Sequence, residues 1–267
     1  MIPETGEMPM SYQVSAFNLS AASENKIHDD TVARRFGFTG ALVPGVEVYA
    51  YACHAAVARW GRGWLERGAA ECRFQSPVYD GDLVTVEETV AAEGIGLLVR
   101  REAATCATGR AWMPHDAPPV MGATQWRAPP ERRPTASEES LAPGLWLATQ
   151  PFAVTPARAA EYLAAVREAE PIYAAEGLVH PGLVLRQCNQ ALVQNVVLGP
   201  WIHVGSIVRN LAAARVGDTL TVRALVTANT ERKGHKIVEL DAWVLRGDGV
   251  PVARVAHTAI WRPRQAA

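Results

Sequence analysis

The run from Val46 to Trp60 is apolar on nearly every side, and it limits the possible folds more than any other part of this sequence. A helix that is apolar all round is buried, either in a protein core or in a membrane. The helical part of the longer apolar stretch, residues 41–58, is too short for a membrane span, which needs ~20 apolar residues. We therefore expect a core helix that begins at Gly45 or Val46 and ends near Gly61 or Gly63.

A compact polar cluster precedes this helix, where residues 23–30 read Ser-Glu-Asn-Lys-Ile-His-Asp-Asp. It contains His28, and the ordinary pKa of histidine allows proton exchange near neutral pH. The N-terminus of a helix has free N–H groups and favours negative charge. A titratable cluster next to the start of a buried helix is therefore a candidate functional site.

Composition excludes several classes of protein. A hydrophobic content of 49% and a charged content of 20% are typical of a folded globular chain. The net charge of -1 shows no basic excess of the kind that nucleic-acid binding requires. Residues 1–13 lack a basic segment followed by an apolar core, so we expect no signal peptide and a soluble, cytoplasmic protein without a membrane partner.

The cysteines indicate neither a disulfide framework nor a metal site. They are Cys53, Cys72, Cys106 and Cys188. Their scattered positions form no CxxC pair and no Cys/His ligand spacing. We expect them to be buried thiols in a reducing compartment, and we expect no bound metal.

The chain contains an internal repeat. Val-Pro-Gly at residues 43–45 recurs as His-Pro-Gly at residues 180–182, each time at the start of an apolar helix. Residues 78–86 recur in the same way as residues 214–222, each a turn that leads into a strand. A repeat of this length indicates two similar halves, and hence an internal pseudo-dimer to which a homodimer of the whole chain could be added.

Alternating hydrophobicity and turn residues predict antiparallel strands in both halves. The predicted strands cover residues 12–18, 70–78, 83–91, 97–107, 145–154, 203–213, 219–229, 236–246 and 250–261. Two more helices are expected, at residues 155–169 and 182–199. A helix that is apolar all round must be wrapped by such a sheet, so the expected class is α+β. The expected domains are 1–113, a Pro-rich linker at 114–144, and 145–267.

Residues 20–60 resemble the MaoC-like, (R)-specific enoyl-CoA hydratase/dehydratase family. That family has a motif of the form D-x-N-P-x-H-x-D, which Asn25, Ile27, His28 and Asp30 match. A Gly-Phe segment and the glycine that starts the helix follow at suitable spacing. The resemblance implies a double hotdog fold of two repeats, each with a long buried helix wrapped by an antiparallel sheet. Tyr173 stands where the second histidine would be, so the C-terminal half resembles a degenerate copy.

The resemblance also implies a catalytic set. His28 would hold and deprotonate a water molecule. The catalytic aspartate of the family lies five residues before the histidine, and here that position is Ser23. The nearest carboxylate is Glu24, so Ser23 or Glu24 would stand in for the aspartate, and Glu24 or Asp30 could orient the imidazole or complete the acid–base pair.

The remaining candidates are residues that could bind the substrate. They are Asn25, Asp30, Arg34, Arg35 and Glu47, with the N–H groups of Gly45 and Val46. Those two N–H groups would stabilise an oxyanion at the helix N-terminus. The arginines could meet the phosphates of coenzyme A or stand in solvent, Asp30 could cap a helix, and Glu47 could line an acyl tunnel or occupy a satisfied core position.

Three functions remain open at the level of the sequence. The first is a hydro-lyase of fatty acid metabolism, a hydratase or dehydratase of enoyl or 3-hydroxyacyl thioesters of coenzyme A or acyl carrier protein, with no cofactor beyond the thioester. The second is a hotdog thioesterase that uses Glu47, the only acidic residue on the predicted helix. The third is a non-catalytic acyl-ligand-binding protein, which the loss of the aspartate at Ser23 favours.

Overall fold

A computed structural model describes residues 11–264 of the 267-residue chain. Residues 1–10 and 265–267 lie outside the described residues, and the expectation about a signal peptide in residues 1–13 therefore falls mostly outside them. The structure is a broad antiparallel sheet wrapped around helices, and the predicted α+β class is confirmed.

The helices and strands occur along the chain in the predicted order, with the following bounds. The strands are β1 (Ser11–Ser15), β2 (Ala69–Phe74), β3 (Leu83–Val90), β4 (Ile95–Arg101), β5 (Ala104–Trp112), β6 (Trp146–Ala148), β7 (Phe152–Ala153), β8 (Ile202–Asn210), β9 (Thr219–Arg232), β10 (His235–Arg246) and β11 (Pro251–Arg262). The helices are α1 (Asp30–Arg35), α2 (Gly45–Arg67), α3 (Pro156–Ala165), α4 (Ile172–Glu176) and α5 (Pro181–Val193). A short 3₁₀ turn, Lys26–His28, lies between β1 and α1.

The internal repeat is visible in the order of the strands. The sheet has eleven strands in the order β1-β3-β4-β5-β2-β8-β11-β10-β9-β6, with β7 paired to β9. The second half repeats the order of the first in reverse, so the halves are related as in a pseudo-dimer. They join where β2 pairs antiparallel with β8, from Ala69 opposite Arg209 to Arg73 opposite Gly205.

Helix α2 begins at Gly45 as predicted, but it continues beyond the predicted end. Gly61 has φ 54° and ψ -140°, which is a kink rather than a terminus. The helix resumes because Trp64 and Leu65 are again buried. Helix α2 packs against α5, so the two apolar helices share one core, as the repeat predicts.

Further boundaries predicted from the sequence are wrong, since the strand expected at 145–154 is two short strands and the helix expected at 155–169 ends at Ala165. The single strand expected at residues 97–107 is a hairpin of β4 and β5, and its turn contains no glycine or proline because Glu102 itself adopts φ 52°. The second apolar helix ends at Val193 rather than at residue 199. The amide of Asn195 donates to the carbonyl oxygen of Ala191 at 2.7 Å and so satisfies a group at the end of the helix.

The segment between the halves, residues 113–145, contains no named helix or strand. It is held by hydrogen bonds to both halves. Arg133, for example, donates to the carbonyl oxygen of Val193 at 2.6 Å and to the carboxylate of Glu24 at 3.0 Å. None of the helices within residues 11–264 combines the length and apolar character that a bilayer crossing demands.

Candidate active site

A cavity of about 280 Å³ opens beside the N-terminus of α2, between the two halves of the chain. Its walls come from the loop that carries His28, from the start of α2, from the end of β2 and from the start of β8. The lining residues with hydrogen-bonding side chains are Asn25, His28, Gln75, Ser76, Cys106, Asn189, Trp201 and His203. Apolar side chains, among them Val48, Phe74 and Ile260, form much of the rest.

The ring of His28 is fixed by hydrogen bonds at both nitrogens. Nδ1 lies 2.6 Å from the carbonyl oxygen of Leu42, and because a carbonyl only accepts, Nδ1 carries the proton. Nε2 lies 3.3 Å from Nδ2 of Asn25 and accepts from that amide. The neutral tautomer with a lone pair on Nε2 is therefore selected.

Asn25 holds the His28 loop against the C-terminal half. Its Nδ2 donates to the carbonyl oxygen of Trp201 at 2.9 Å, and its Oδ1 accepts from the N–H of Trp201 at 3.1 Å. The same Oδ1 accepts from the N–H of Ile27 at 3.3 Å, which caps the 3₁₀ turn. These bonds fix the orientation of the amide, so the contact with His28 is made by the NH₂ group.

Burial keeps His28 neutral. It lowers the pKa of the imidazole to about 4, because an imidazolium in this apolar wall would lose its hydration. The bond to Leu42 opposes this shift, and the positive charge of Arg186 adds to it. At neutral pH the ring is thus an unprotonated base.

The N-terminus of α2 provides two unpaired donors. Pro44 offers no side-chain cap, and the N–H groups of Gly45 and Val46 have no partner within residues 11–264. A β-carbon on Gly45 would lie 2.8 Å from the ring of Phe74, so only glycine lets the backbone approach the cavity wall here. Such a site suits a developing negative charge on an oxygen atom.

Ser23 and Glu24, the predicted partners of His28, do not line this cavity. Ser23 is partly exposed, and its hydroxyl donates to the carbonyl oxygen of Asn25 at 3.4 Å. The carboxylate of Glu24 turns to the other side of the loop and pairs with Arg133 at 3.0 Å. Among the described residues no carboxylate lines the cavity.

The predicted substrate-binding residues on α1 lie outside the cavity wall. Asp30 accepts from the N–H of Ala41 at 2.7 Å and so fixes the loop that follows α1. Arg34 donates to the carbonyl oxygen of Thr39 at 3.2 Å, and Arg34 and Arg35 are both exposed. Their predicted contact with phosphate groups stays a prediction.

Glu47 is a core residue of α2 and not part of the cavity lining. Its carboxylate is 1% exposed and accepts from the guanidinium of Arg186 on α5. Arg186 also donates to the hydroxyl of Ser20 at 2.8 Å. Burial raises the pKa of Glu47, while Arg186 counteracts that rise. The ion pair ties the two central helices together across the pseudo-dimer.

The matching position in the C-terminal half is closed. The N-terminus of α5 is capped by its own sequence, because Nδ1 of His180 accepts from the N–H of Gly182 at 3.1 Å. The hydroxyl of Tyr162 lies 2.3 Å from where a β-carbon on Gly182 would stand, so tyrosine fills the space that is open in the other half. Tyr173, in the place of His28, is buried. Only the N-terminal half therefore has an accessible helix start among these residues.

Glu168 anchors this closed half. Its carboxylate accepts from Nδ1 of His54 at 2.9 Å, from Nε2 of His180 at 3.3 Å and from two backbone N–H groups at 2.8 Å. Burial opposes ionisation, but the donors outweigh it and hold the pKa of Glu168 well below its ordinary value of 4.5. The same bond satisfies His54 of α2, whose ring also stacks on Tyr12 with a centroid distance of 3.9 Å.

Replacing Glu168 with glutamine should lower the free energy of unfolding at pH 7 by about 1.5–3 kcal/mol, the range for hydrogen bonds to charged groups. A carboxyl whose folded-state pKa is depressed stabilises the fold above its unfolded pKa, and this contribution is lost as the pH falls. The deficit of the variant should therefore shrink below about pH 4.5. Urea unfolding at pH 7 and pH 4 measures both effects. Glu161→Gln, on the exposed face of α3, is the control, and an equal deficit at both pH values would contradict the assignment.

Several residues of the cavity carry no motif in the sequence. Trp201 and His203 come from the C-terminal half and reach the cavity because β2 pairs with β8. The one available signal is the repeat, since β2 and β8 are equivalent strands and Phe74 at the end of β2 packs edge-on against His203 at 4.9 Å.

Solved structures with the same architecture cover almost the whole chain. A candidate MaoC domain dehydratase from Chloroflexus aurantiacus J-10-fl is 12% identical, covers 97% of this chain and 96% of its own, and has a TM-score of 0.61. A conserved hypothetical protein of Mycobacterium tuberculosis with a double hotdog fold is 14% identical over 94% and 96%, with a TM-score of 0.61. A candidate thioesterase II from Thermobifida fusca YX is 16% identical over 96% and 92%, with a TM-score of 0.54.

These likenesses show that the chain has a double hotdog fold, as the sequence resemblance implied. The neighbours include MaoC-like dehydratases, so the resemblance stated from residues 20–60 is confirmed at the level of the fold. Because the neighbours also include a candidate thioesterase, the fold does not choose the reaction. No protein-family model matches the sequence, and no curated protein matches it significantly.

Proposed function

We propose that this protein is a hydro-lyase that adds water to an enoyl thioester and removes it from a 3-hydroxyacyl thioester. The observation that supports it most is the position of His28, an unprotonated base in an apolar cavity at the open N-terminus of α2. Hydration of a conjugated thioester needs a base for water and fixed donors for the charge on the thioester oxygen. The cavity offers both next to each other.

In the proposed mechanism the thioester oxygen binds to the N–H groups of Gly45 and Val46. Water replaces the long 3.3 Å contact of Asn25 at Nε2 of His28, and Nε2 takes a proton from this water as the oxygen atom bonds to Cβ. The π electrons of the double bond move toward the thioester oxygen, where the helix N-terminus stabilises the charge. The imidazolium then returns the proton to Cα, which completes the addition with no net change in His28.

Thioester hydrolysis by Glu47 has less support. A carboxylate that attacks a thioester or activates water must reach it, but Glu47 is buried between α2 and α5 and is paired with Arg186. Among residues 11–264 no carboxylate lines the cavity beside His28, so the lining does not supply an acyl-transfer triad. The lining of the cavity does not distinguish a coenzyme A thioester from a carrier-protein thioester.

The proposal predicts an unusual pH profile. Because burial lowers the pKa of His28 to about 4, kcat/KM for hydration should stay level from pH 8 to pH 5 and fall only as the pH drops through about 4. An ordinary histidine would give a fall near 6.5. The same shift makes the fold less stable as the pH falls below 6.5, because the unfolded chain takes up the proton more readily. Circular dichroism at each pH must therefore accompany the rates.

The experiment that tests the function follows two signals at once. Purified protein is given crotonyl-CoA and longer enoyl-CoAs, and the loss of enone absorbance and the release of free thiol are recorded together. Enone loss without thiol release supports the proposal. Thiol release that disappears in Glu47→Gln would instead establish the hydrolase, and binding of the thioesters without turnover would establish an acyl-binding protein. Glu24→Gln should react like the wild type, because its carboxylate faces Arg133.

A further inference from the structure

The cavity contains a second imidazole that the mechanism above leaves unused. His203, at the start of β8, is 5% exposed and lines the cavity together with His28. Its ring stacks on His257 with a centroid distance of 4.3 Å and meets Phe74 edge-on. It comes from the C-terminal half, whereas His28 comes from the N-terminal half.

Hydrogen bonds assign the protons of this second ring. Nε2 of His203 lies 3.2 Å from the carbonyl oxygen of Gly205 and 2.8 Å from Oγ of Ser206. Because the carbonyl can only accept, Nε2 carries the proton. The hydroxyl of Ser206 then donates onward to Nδ1 of His257 at 3.1 Å. The lone pair of His203 is left on Nδ1.

Nδ1 of His203 has no partner within the described residues, although it is buried. It lies 3.2 Å from the position that a β-carbon on Gly45 would take, which places it beside the open N-terminus of α2. Burial and the neighbouring His257 hold the pKa of His203 well below its ordinary value, so the ring stays neutral. A buried acceptor without a partner is uncommon in folded proteins, because it costs desolvation energy, and it indicates a missing donor.

A water molecule is the donor that fits the proposed reaction. Two acceptors would fix both hydrogens of that water, and the catalytic aspartate that the MaoC-like resemblance implies is replaced by Ser23. Neither Ser23 nor Glu24 reaches the cavity, and no carboxylate among the described residues lines it. His203 is the second imidazole in the lining, and its free lone pair is next to the atoms that would bind the thioester oxygen.

We propose that His203 is the second acceptor that holds the reacting water, with Nδ1 taking one hydrogen while Nε2 of His28 takes the other. This inference rests on the proposed hydro-lyase function. Ser206 and His257 are positioning residues that keep the proton on Nε2 of His203.

The step is balanced. One O–H bond of water breaks, its proton goes to His28, and the oxygen atom bonds to Cβ. The proton returns from His28 to Cα. The second O–H bond does not break, and it becomes the hydroxyl group of the product, which donates to Nδ1 of His203. Two acceptors fix both hydrogens, so a lone pair of the oxygen points at Cβ.

Two substitutions of His203 separate this role from a structural one. The amide of asparagine reaches the place of Nδ1, and the amide of glutamine reaches the place of Nε2. If His203 holds water, His203→Gln should lose about 10²-fold in kcat, the cost of misplacing a reactant, while His203→Asn should retain more activity. If His203 only anchors Ser206, the order should be reversed. His115→Gln, an exposed histidine of the linker, is the control.

The outcomes distinguish failure of this role from failure of the function. Wild-type protein without hydration activity overturns the hydro-lyase and the role of His203 together. An active wild type in which His203→Gln equals or exceeds His203→Asn overturns the role alone. A measurement on the unsubstituted protein removes any dependence on folding of the variants. With ¹⁵N-labelled histidine, NMR should show Nδ1 of His203 unprotonated and Nε2 protonated, and a protonated Nδ1 would overturn the inference.

Discussion

Replacing His28 with alanine should lower kcat for enoyl thioester hydration by about 10²–10⁴-fold, the usual contribution of a positioned acid–base residue. The ring lines the cavity and is held there by its bonds to the carbonyl oxygen of Leu42 and to the amide of Asn25. The loss should appear in kcat more than in KM, because the apolar walls that bind the acyl chain are unchanged. Initial rates with crotonyl-CoA measure it.

The control for this substitution is His115→Ala, since His115 is exposed in the segment between the halves. His28→Gln is a second comparison, because it can keep one hydrogen bond in the wall but cannot take a proton. Activity of His28→Gln close to that of the wild type would show that His28 only shapes the loop. Chemical rescue of His28→Ala by added imidazole would support its role as the base.

The parts of the fold that the sequence could predict are those with local signals. The apolar run and its Pro-Gly start predicted α2, and the same signature at residues 180–182 predicted α5. The hairpin between β4 and β5 was not predicted, because Glu102 takes a positive φ without the glycine that normally marks such a turn in the sequence. The extension of α2 beyond Gly61 depends on burial of Trp64, which is decided by packing and not by the local sequence.

The candidate site likewise combines residues that local sequence signals could predict with residues that only tertiary packing brings together. His28 and Gly45 lie close along the chain, so a motif could bring them together. Asn25, however, binds Trp201 at a distance of 176 residues, and His203 enters the cavity by the same route. The direction of the Glu24 side chain is decided by Arg133 in the segment between the halves, so a carboxylate adjacent in sequence to Asn25 faces away from the cavity. Such contacts depend on how the halves pair.

The asymmetry of the two halves also has a physical cause. An open helix N-terminus leaves N–H groups unpaired, which lowers stability unless a ligand uses them. The C-terminal half avoids this cost, because His180 caps Gly182 and Tyr162 fills the adjacent space. In the N-terminal half the N–H groups at Gly45 and Val46 stay unpaired among the described residues, so the loss of stability remains there. This difference supports placing the reaction in the N-terminal half.

Breaking the ion pair between the central helices should have the largest effect on stability. Arg186→Met should lower the free energy of unfolding by about 3–5 kcal/mol, because the buried carboxylate of Glu47 would lose its compensating charge. The double variant Arg186→Met/Glu47→Leu should recover most of this loss, since neither charge then remains buried. Chemical denaturation at pH 7 of the wild type, the single variant and the double variant measures both changes.

The pH dependence of Arg186→Met tests the cause of that loss. A carboxyl whose folded-state pKa is raised binds more protons in the folded protein, so it favours folding as the pH falls. Without Arg186 the pKa of Glu47 should rise further above 4.5, and the deficit should therefore grow from pH 5 to pH 8. Arg100→Met, which breaks an exposed pair with Glu87, should cost at most about 1 kcal/mol with little dependence on pH. A deficit in Arg186→Met that is equally small would mean that the carboxylate of Glu47 is hydrated, which would return it to consideration as a group that can reach a thioester.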